Sequence, residues 1–372
     1  MTNRERLMRI YRGEASDRPA VVLWSARPGQ DLLHPAYAPV RDAAVAQTDL
    51  VLSAGAPFDL LWGADGPRIT TDEHPTDSPE WVDRVTTVET PAGRLRSVFR
   101  ASTCGKPGYR VEHLVKKPAD LDRLLSVPYR PHPFDASRYR AADRLVGDRG
   151  IARFGLDHAM YGLQRQIGSE NFALWSIDHR DALHAVMAAY GRRILDHAKA
   201  ALADGIRGAF GWVGPELCIP PLMSVADFDD FVTRHDRPVI DAIHEGGGRV
   251  WVHCHGRMGP VLERFRDMGV DVLNPLEPPP MGDVTLPEAF DRVGDSMALE
   301  GNIETHDLMT LPADRMRQLV IDTLECGRGR RFILCPSSGY MEDPDPSPRY
   351  IENELIFVNE GVRRAEAMAA GT

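Results

Sequence analysis

The sequence predicts an α/β protein built on a TIM-type (β/α)8 barrel. Short apolar runs alternate with helical patterns through the second half of the chain, and 372 residues with 43% hydrophobic content are enough for a large core. An open doubly wound sheet is the alternative, but no GxGxxG motif follows a predicted strand. We expect residues 1–372 to form a single barrel domain.

The first third of the chain mixes helical and strand patterns. In order, it is predicted to contain a helix over residues 3–12, a strand over 20–24, a helix from about 40 through about 54, and a strand over 58–62. Valine and leucine residues on both sides of the turn Thr90-Pro-Ala-Gly93 indicate an antiparallel hairpin over about residues 81–100. We expect this N-terminal β-hairpin to be an insertion into the barrel.

The second half is more regular. Helical patterns separate short apolar runs, which are predicted as strands near residues 151–154, 206–211, 249–253, 271–274, 296–300 and 331–334. Barrels of this type carry their chemistry at the carboxyl ends of the strands. Polar residues that directly follow these runs are therefore the candidates for a functional site.

Charge and composition exclude several classes of protein. The formal net charge is −10 and no basic run occurs, which argues against nucleic-acid binding. No apolar run approaches the roughly 20 residues that span a bilayer, and the start of the sequence has no signal core, so we expect a cytoplasmic protein. The cysteines are scattered, odd in number and without a CxxC motif, which predicts free thiols: Cys104, Cys218, Cys254, Cys326 and Cys335.

The segment from Arg249 to Gly256 predicts a metal site. Side chains alternate along a strand, so His253 and His255 should project together while Cys254 points into the barrel wall. Glu277 follows the next strand and precedes three prolines, which stiffen the backbone that carries it. Two neutral imidazoles and one carboxylate are a common zinc set that leaves a coordination position open.

Other polar residues also follow predicted strands. Glu216 is a candidate to orient the substrate, or it is a carboxylate at the start of a helix. Tyr340 is a candidate to donate a hydrogen bond to a substrate oxygen, or it only packs. Asn302 and Glu304 are candidates to hold the ligating histidines in place, with Asn302 also able to bind substrate. Apolar outer faces of the helices would permit a homodimer.

Several of these segments carry a family resemblance. The chain resembles the uroporphyrinogen decarboxylase superfamily, specifically its branch of zinc-dependent methyltransferases that work with corrinoid proteins, and more distantly the cobalamin-independent methionine synthases. The segments that carry the resemblance are Arg4 to Gly13, Asp17 to Pro19, Pro221 to Phe228, Leu299 to Ile303 and Phe332 to Gly339. The resemblance covers nearly the whole chain and implies a TIM barrel.

The resemblance also implies a ligand set. The methyltransferases bind zinc with a His-x-Cys pair, a downstream glutamate in some members, and a late cysteine. Here His253 matches, His255 replaces the cysteine, Glu277 takes the glutamate position, and the late ligand would be Ser338 or Cys335. With fewer thiolates the zinc is more Lewis-acidic, which favours a methylated oxygenated substrate over a thiol. Methyl transfer would need a corrinoid on a separate partner protein.

Three other functions are open. True uroporphyrinogen decarboxylases hold a tetrapyrrole with an Arg-Gln-Ala-Gly-Arg segment, whereas the corresponding stretch here, Trp24 to Leu32, has the single arginine Arg27. Arg27 is therefore a candidate to bind one carboxylate or phosphate of a smaller substrate. The same zinc could instead activate water for hydrolysis. A non-catalytic, corrinoid-binding protein is the third alternative.

Overall fold

The computed structural model describes residues 1–370. Twelve strands lie in this part of the chain: β1 (Ala20–Val21), β2 (Leu50–Ala54), β3 (Arg68–Pro75), β4 (Trp81–Thr90), β5 (Gly93–Ser102), β6 (Tyr109–Glu112), β7 (Gly150–Gly155), β8 (Ala209–Val213), β9 (Arg249–His253), β10 (Val272–Leu276), β11 (Ala298–Ile303) and β12 (Phe332–Pro336).

Fourteen α-helices lie in the same part: α1 (Asn3–Arg12), α2 (Ala38–Gln47), α3 (Ala119–Leu125), α4 (Ser137–Val146), α5 (Ala159–Ile167), α6 (Ser169–Asp178), α7 (Arg180–Ala203), α8 (Val225–Phe228), α9 (Arg234–Glu245), α10 (Leu262–Asp267), α11 (Leu286–Val293), α12 (Thr305–Thr310), α13 (Ala313–Cys326) and α14 (Pro348–Ala369). A π-helical turn, Asp229–Thr233, joins α8 to α9.

Eight strands form one parallel sheet in the order β1-β12-β11-β10-β9-β8-β7-β2. From β7 to β12 each strand lies beside its predecessor in the chain, and helices connect successive strands, as expected for βα repeats. The two outermost strands of this order are linked, because the backbone N–H of Asp49 donates to the carbonyl oxygen of Val21 at 2.8 Å. The curled parallel sheet confirms the predicted α/β class and fits a TIM-like barrel.

A polar layer lies inside the barrel. The Trp251 side chain is buried, and its indole N–H donates to Glu300 Oε2 at 2.7 Å. The guanidinium of Arg153 lies 3.3 Å from the centre of a Trp251 ring, a cation–π contact. Burial raises the pKa of Glu300. This layer precedes His253 by only two residues along β9, so it supports the strand end on which His253 lies.

A buried ion network closes the seam between β1 and β2. Asp49 is 0% exposed and accepts hydrogen bonds from Arg6 Nη1 at 2.7 Å, Arg18 Nη1 at 2.9 Å and the backbone N–H of Val21 at 2.8 Å. Arg6 belongs to α1, and it also binds both carboxylate oxygens of Asp17. The two N-terminal segments that carry the resemblance therefore have a structural role, because they neutralise one buried carboxylate.

Two predictions about the first third of the chain were wrong. The helix expected through about residue 54 ends at Gln47, and Leu50–Ala54 is a strand paired in parallel with β7. Its continuously buried leucine and valine side chains are typical of a strand covered on both faces. The strand expected over residues 58–62 is a turn, since Asp59 Oδ1 accepts the backbone N–H groups of Leu61 and Trp62.

The chain divides into two compact units. One comprises residues 1–56, 135–156 and 201 onward, and it contains the barrel. The other comprises residues 57–134 and 157–200, and it contains an antiparallel sheet in the order β3-β4-β5-β6. The strands of the expected hairpin, β4 and β5, form the centre of that sheet. Within residues 1–370, no helix is both long and apolar enough to span a membrane.

Candidate functional site at the carboxyl end of the barrel

The barrel strands β9 to β12 end in a group of polar residues. His253 is the last residue of β9, and register pairing places it beside Val213 of β8 and Asn274 of β10. Glu277 directly follows β10, and Glu304 directly follows β11. Because parallel strands end on the same side of a barrel, these residues gather at its carboxyl end.

His253 is a neutral, immobilised imidazole. The residue is 4% exposed, its ring is stacked on that of Trp24 with 5.1 Å between centroids, and its Nδ1 lies 2.7 Å from Asn274 Oδ1. Burial, with a further contribution from His255, lowers the pKa of His253 to about 4. Since the Asn274 oxygen can only accept, Nδ1 carries the proton and the lone pair is on Nε2.

His255 is held by Glu277. Its Nδ1 lies 2.8 Å from Glu277 Oε1, while Glu277 Oε2 accepts the backbone N–H of Gly256 at 2.6 Å. Gly256 has a φ of +101°, a conformation that favours glycine, so the chain can turn this N–H toward the carboxylate. Burial lowers the pKa of His255, but the hydrogen bond and charge of Glu277 outweigh it and the net shift is upward. The same contact outweighs burial and lowers the pKa of Glu277.

The structure thus brings His253, His255 and Glu277 together. The two imidazole rings meet edge to face with 4.5 Å between centroids, although β9 ends at His253 and only one of them is in the strand. Cys254, between them, is completely buried, and burial raises the pKa of its thiol.

The fit to a metal ion is partial. In the described residues, neither Nε2 atom has a hydrogen bond, while both Nδ1 atoms have an acceptor, which is the arrangement that metal-ligating histidines commonly show. Both oxygens of Glu277, however, are already engaged by His255 and Gly256. No three histidine, cysteine, aspartate or glutamate side chains within residues 1–370 are grouped so that they could hold one ion. In this arrangement Glu277 is the partner of an imidazole, and its role as a ligand stays a prediction.

The two candidates for a late ligand have other partners. The hydroxyl of Ser338 donates to Glu342 Oε1 at 2.9 Å in an exposed position. Cys335 is completely buried in the cluster that fills the barrel interior, where burial, followed by the charge of Glu300, raises the pKa of its thiol. The serine that does contact the site is Ser337, whose hydroxyl donates to Glu304 Oε2 at 3.1 Å.

Glu216, Asn302 and Tyr340 lie in three different settings. Glu216 is half-buried on a short 3-10 turn after β8, and its charge helps to raise the pKa of His255. The amide of Asn302 donates to the carbonyl oxygen of Leu276 at 2.7 Å, which holds the backbone that leads into Glu277. Tyr340 is buried, and its hydroxyl donates to Gln30 Oε1 at 2.7 Å.

Arg27 lines a cavity of about 620 Å³ within the barrel unit. Trp24, Gln30 and Arg138 line the same cavity, and Trp24 is also the residue stacked on His253. No ion pair of Arg27 or Arg138 is found among residues 1–370. Sequence reasoning missed Arg138, because it lies on α4, far from any strand end in the sequence.

Asn274 and Ser337 were also missed. Asn274 is register-paired with His253, so knowing that β9 and β10 are neighbours would have identified it. Ser337 is adjacent to the predicted Ser338, and only the pairing of β11 with β12 shows which of the two serines contacts Glu304.

Comparison with known proteins places the chain in a family. A solved structure of a methyltransferase from Methanosarcina mazei aligns with 97% of this chain and 99% of its own, with a TM-score of 0.60 and 17% identity, a likeness that shows the fold. Uroporphyrinogen decarboxylase from Pseudoalteromonas translucida (strain TAC 125) is 26% identical over 48% of this chain. The same enzyme from Prochlorococcus marinus (strain MIT 9211) is 27% identical over 37% of it.

These two matches span 47% and 37% of the relatives' own lengths, so the chain spans less than half of the curated relatives it matches. The family model described as uroporphyrinogen decarboxylase (URO-D) matches residues 156–348, just over half of the chain. That segment carries β8 to β12 with the two histidines, Glu277 and Glu304. The chain belongs to the uroporphyrinogen decarboxylase (URO-D) family.

Proposed function

We propose that this protein is a zinc-dependent methyltransferase that removes a methyl group from a small oxygenated substrate and passes it to a corrinoid on a separate protein. The observation that carries the proposal is the pair of imidazoles, His253 and His255, whose Nδ1 atoms are both bound and whose Nε2 atoms have no partner in the described chain. His253 presents a neutral nitrogen, and His255, whose pKa is raised, would present a second one once its Nε2 gives up its proton to a metal.

Zinc bound there would act as a Lewis acid on the substrate oxygen. The chain's own contribution is to keep its ligands ready. His253 is neutral at physiological pH because burial lowers its pKa to about 4, so no proton competes for its Nε2. Glu277 accepts a hydrogen bond from Nδ1–H of His255, and this contact orients the ring. Metal-bound imidazoles carry no charge, so they would leave the positive charge of the zinc ion undiminished. An ion of this kind is better suited to polarise an ether oxygen of a substrate than to activate a substrate thiolate.

The cavity beside Trp24 supports an anionic, aromatic substrate. Arg27 and Arg138 both line it, and arginine guanidinium groups bind carboxylates strongly. The indole of Trp24 offers a surface on which an aromatic ring can stack. A methoxylated benzoate combines these features, so we propose this substrate class.

The test measures metal content and methyl transfer together. Protein purified without chelators is expected to contain zinc by elemental mass spectrometry, and to methylate free cob(I)alamin when 4-methoxybenzoate is supplied. His253→Ala and His255→Ala variants should lose both properties. His74→Ala serves as the matched control, because His74 is exposed on β3. Absence of zinc from the wild type, or unchanged methyl transfer in both variants, would contradict the proposal.

Decarboxylation is the second candidate, favoured by the family match and by the names of the two curated relatives. The same preparation is therefore assayed for carbon dioxide release from uroporphyrinogen. Release that persists in the His255→Ala variant would favour a decarboxylase without a metal. Methanol release from a methoxylated substrate in water alone, without cob(I)alamin, would favour a hydrolase.

A further inference from the structure

The compact unit formed by residues 57–134 and 157–200 contains a cavity of its own. Its volume is about 500 Å³, within the range of about 300–1,000 Å³ that is typical of small-molecule sites. One wall is the face of α7 that carries Ala189, Arg193 and Ala200, and the other walls come from residues 57–58 and 129–134. None of the residues to which the proposed function assigns a role lines this cavity.

Rings dominate the lining of the cavity. They belong to Pro57, Phe58, Tyr129, Pro131, His132, Phe134 and His197. The Phe58 ring is stacked on the His197 imidazole with 4.5 Å between centroids, and the Phe134 ring packs on the same imidazole at 5.8 Å. Flat apolar surfaces of this kind suit a planar aromatic ligand, which can stack on one ring and meet another edge to face.

Arg193 supplies this cavity with a fixed positive charge. The side chain is half-buried, and its Nη1 donates to the carbonyl oxygens of Leu60 at 2.7 Å and Leu61 at 2.9 Å. The guanidinium carbon lies 4.1 Å from the centre of the Tyr129 ring. Among residues 1–370 Arg193 has no ion pair, and its Nε and Nη2 have no hydrogen bond. The guanidinium is therefore held in place while its charge and two of its nitrogens stay available.

Two further observations favour an anionic ligand. The hydroxyl of Tyr129 is buried and has no hydrogen-bond partner in the described part of the chain, although buried polar groups normally have one. Arg192 and Asp196, both exposed, also line the cavity and offset each other's charge, so Arg193 leaves an excess of positive charge there. The chain as a whole has a net charge of −10, so this excess is local.

We propose that this cavity binds a small aromatic carboxylate of one or two fused rings. The rings of the ligand pack on the aromatic walls, and its carboxylate accepts charge-assisted hydrogen bonds from the free nitrogens of Arg193. The Tyr129 hydroxyl is a further donor to the same group. The inference concerns binding in the unit that does not contain the barrel, and it does not depend on the proposed function.

Isothermal titration calorimetry of the full chain with 2-naphthoate tests the inference. Two related probes separate the two parts of the recognition. Naphthalene-2-carboxamide keeps the rings but has no charge, and it should bind about 10–100-fold more weakly because it loses a charge-assisted hydrogen bond. Decahydro-2-naphthoate keeps the charge but has no aromatic ring, and it should bind about 2–10-fold more weakly.

The variants locate the binding site. Ala189→Phe fills the cavity from α7 while leaving Arg193 in place, so it should abolish binding of 2-naphthoate. Ala185→Phe is the matched control, because it makes the same change at an exposed position of α7 outside the cavity lining and should bind like the wild type. Arg193→Met should bind 2-naphthoate as weakly as the carboxamide. The double variant Arg27→Ala/Arg138→Ala, altered only in the barrel cavity, should retain the binding that Ala189→Phe loses. Circular dichroism checks the folding of each variant.

The possible outcomes are distinct. Binding by the wild type and the double variant, but not by Ala189→Phe, supports the inference. No binding of 2-naphthoate by the wild type at millimolar concentration overturns it, and so does binding that survives in Ala189→Phe or is lost only in the double variant. Equal affinity of the wild type for 2-naphthoate and the carboxamide overturns the carboxylate class. Should Ala189→Phe not fold, Arg193→Met decides, because a preference for 2-naphthoate that persists in this variant overturns the inference.

Discussion

The contact between His255 and Glu277 makes a prediction that distinguishes a metal ligand from the partner of a ligand. Glu277 accepts from two donors at once, the ring nitrogen of His255 at 2.8 Å and the backbone N–H of Gly256 at 2.6 Å. In Glu277→Gln the side chain keeps its shape but has only one acceptor oxygen. One of the two donors must therefore face an amide N–H₂ group.

The size of the effect follows from this geometry. A buried donor that loses its acceptor costs about 1–3 kcal/mol. Replacing a group that orients a ligating histidine typically weakens metal binding by about 10–100-fold, equivalent to about 1.4–2.8 kcal/mol. We therefore expect Glu277→Gln to bind zinc about 10–100-fold more weakly than the wild type. Removing the His253 imidazole should weaken binding much more, since it deletes a proposed ligand.

The assay is a competition for zinc between the protein and a chromogenic chelator at neutral pH, with circular dichroism as the check on folding. Glu366→Gln, on the exposed face of α14, is the control and should bind zinc like the wild type. An affinity loss in Glu277→Gln as large as in His253→Ala would make Glu277 a direct ligand and refute our assignment. An unchanged affinity would show that the contact does not prepare His255 for a metal.

Three further predictions concern the rest of the barrel unit. Asp49→Ala removes the counter-ion of the buried Arg18 guanidinium and one of the two counter-ions of Arg6, which keeps Asp17. The free energy of unfolding in urea should therefore fall by about 3–5 kcal/mol. Glu73→Gln in the exposed sheet should change it little, and equal effects would contradict the buried network. Burial raises the pKa of Glu354 to about 8, whereas the ordinary pKa of glutamate in the unfolded chain is about 4.3. Between these two pH values the folded state binds more protons than the unfolded state. The free energy of unfolding should therefore fall as pH rises through this window. Thermal melts should show this fall, and Glu354→Gln should abolish it; a wild type equally stable across the window would disprove it. Arg27→Ala and Arg138→Ala should each raise KM for 4-methoxybenzoate about tenfold and leave KM for uncharged anisole unchanged; equal shifts for both substrates would rule out carboxylate binding by these arginines.

Local pattern was sufficient for much of the fold. The alternation of apolar runs and helical segments predicted the α/β class and the strands near residues 151–154, 249–253 and 331–334, each of which overlaps an observed strand. It failed around residues 50–62, because a short, continuously apolar run has no periodicity that separates a buried strand from a buried helix. The pairing of β2 with β7, about 100 residues away, decided the outcome.

The sequence by itself determined which residues stand at the strand ends, because two histidines two positions apart and a glutamate after the next strand are visible in one dimension. Only the tertiary structure decided what each side chain contacts. It assigned Asn274 to His253, Glu277 to His255 and Ser337 to Glu304, and it placed Cys335 in the core. The physical reason is that chain order sets only the strand on which a side chain lies. Its hydrogen bonds depend on strand register and side-chain direction, and the strands concerned are connected only through intervening helices.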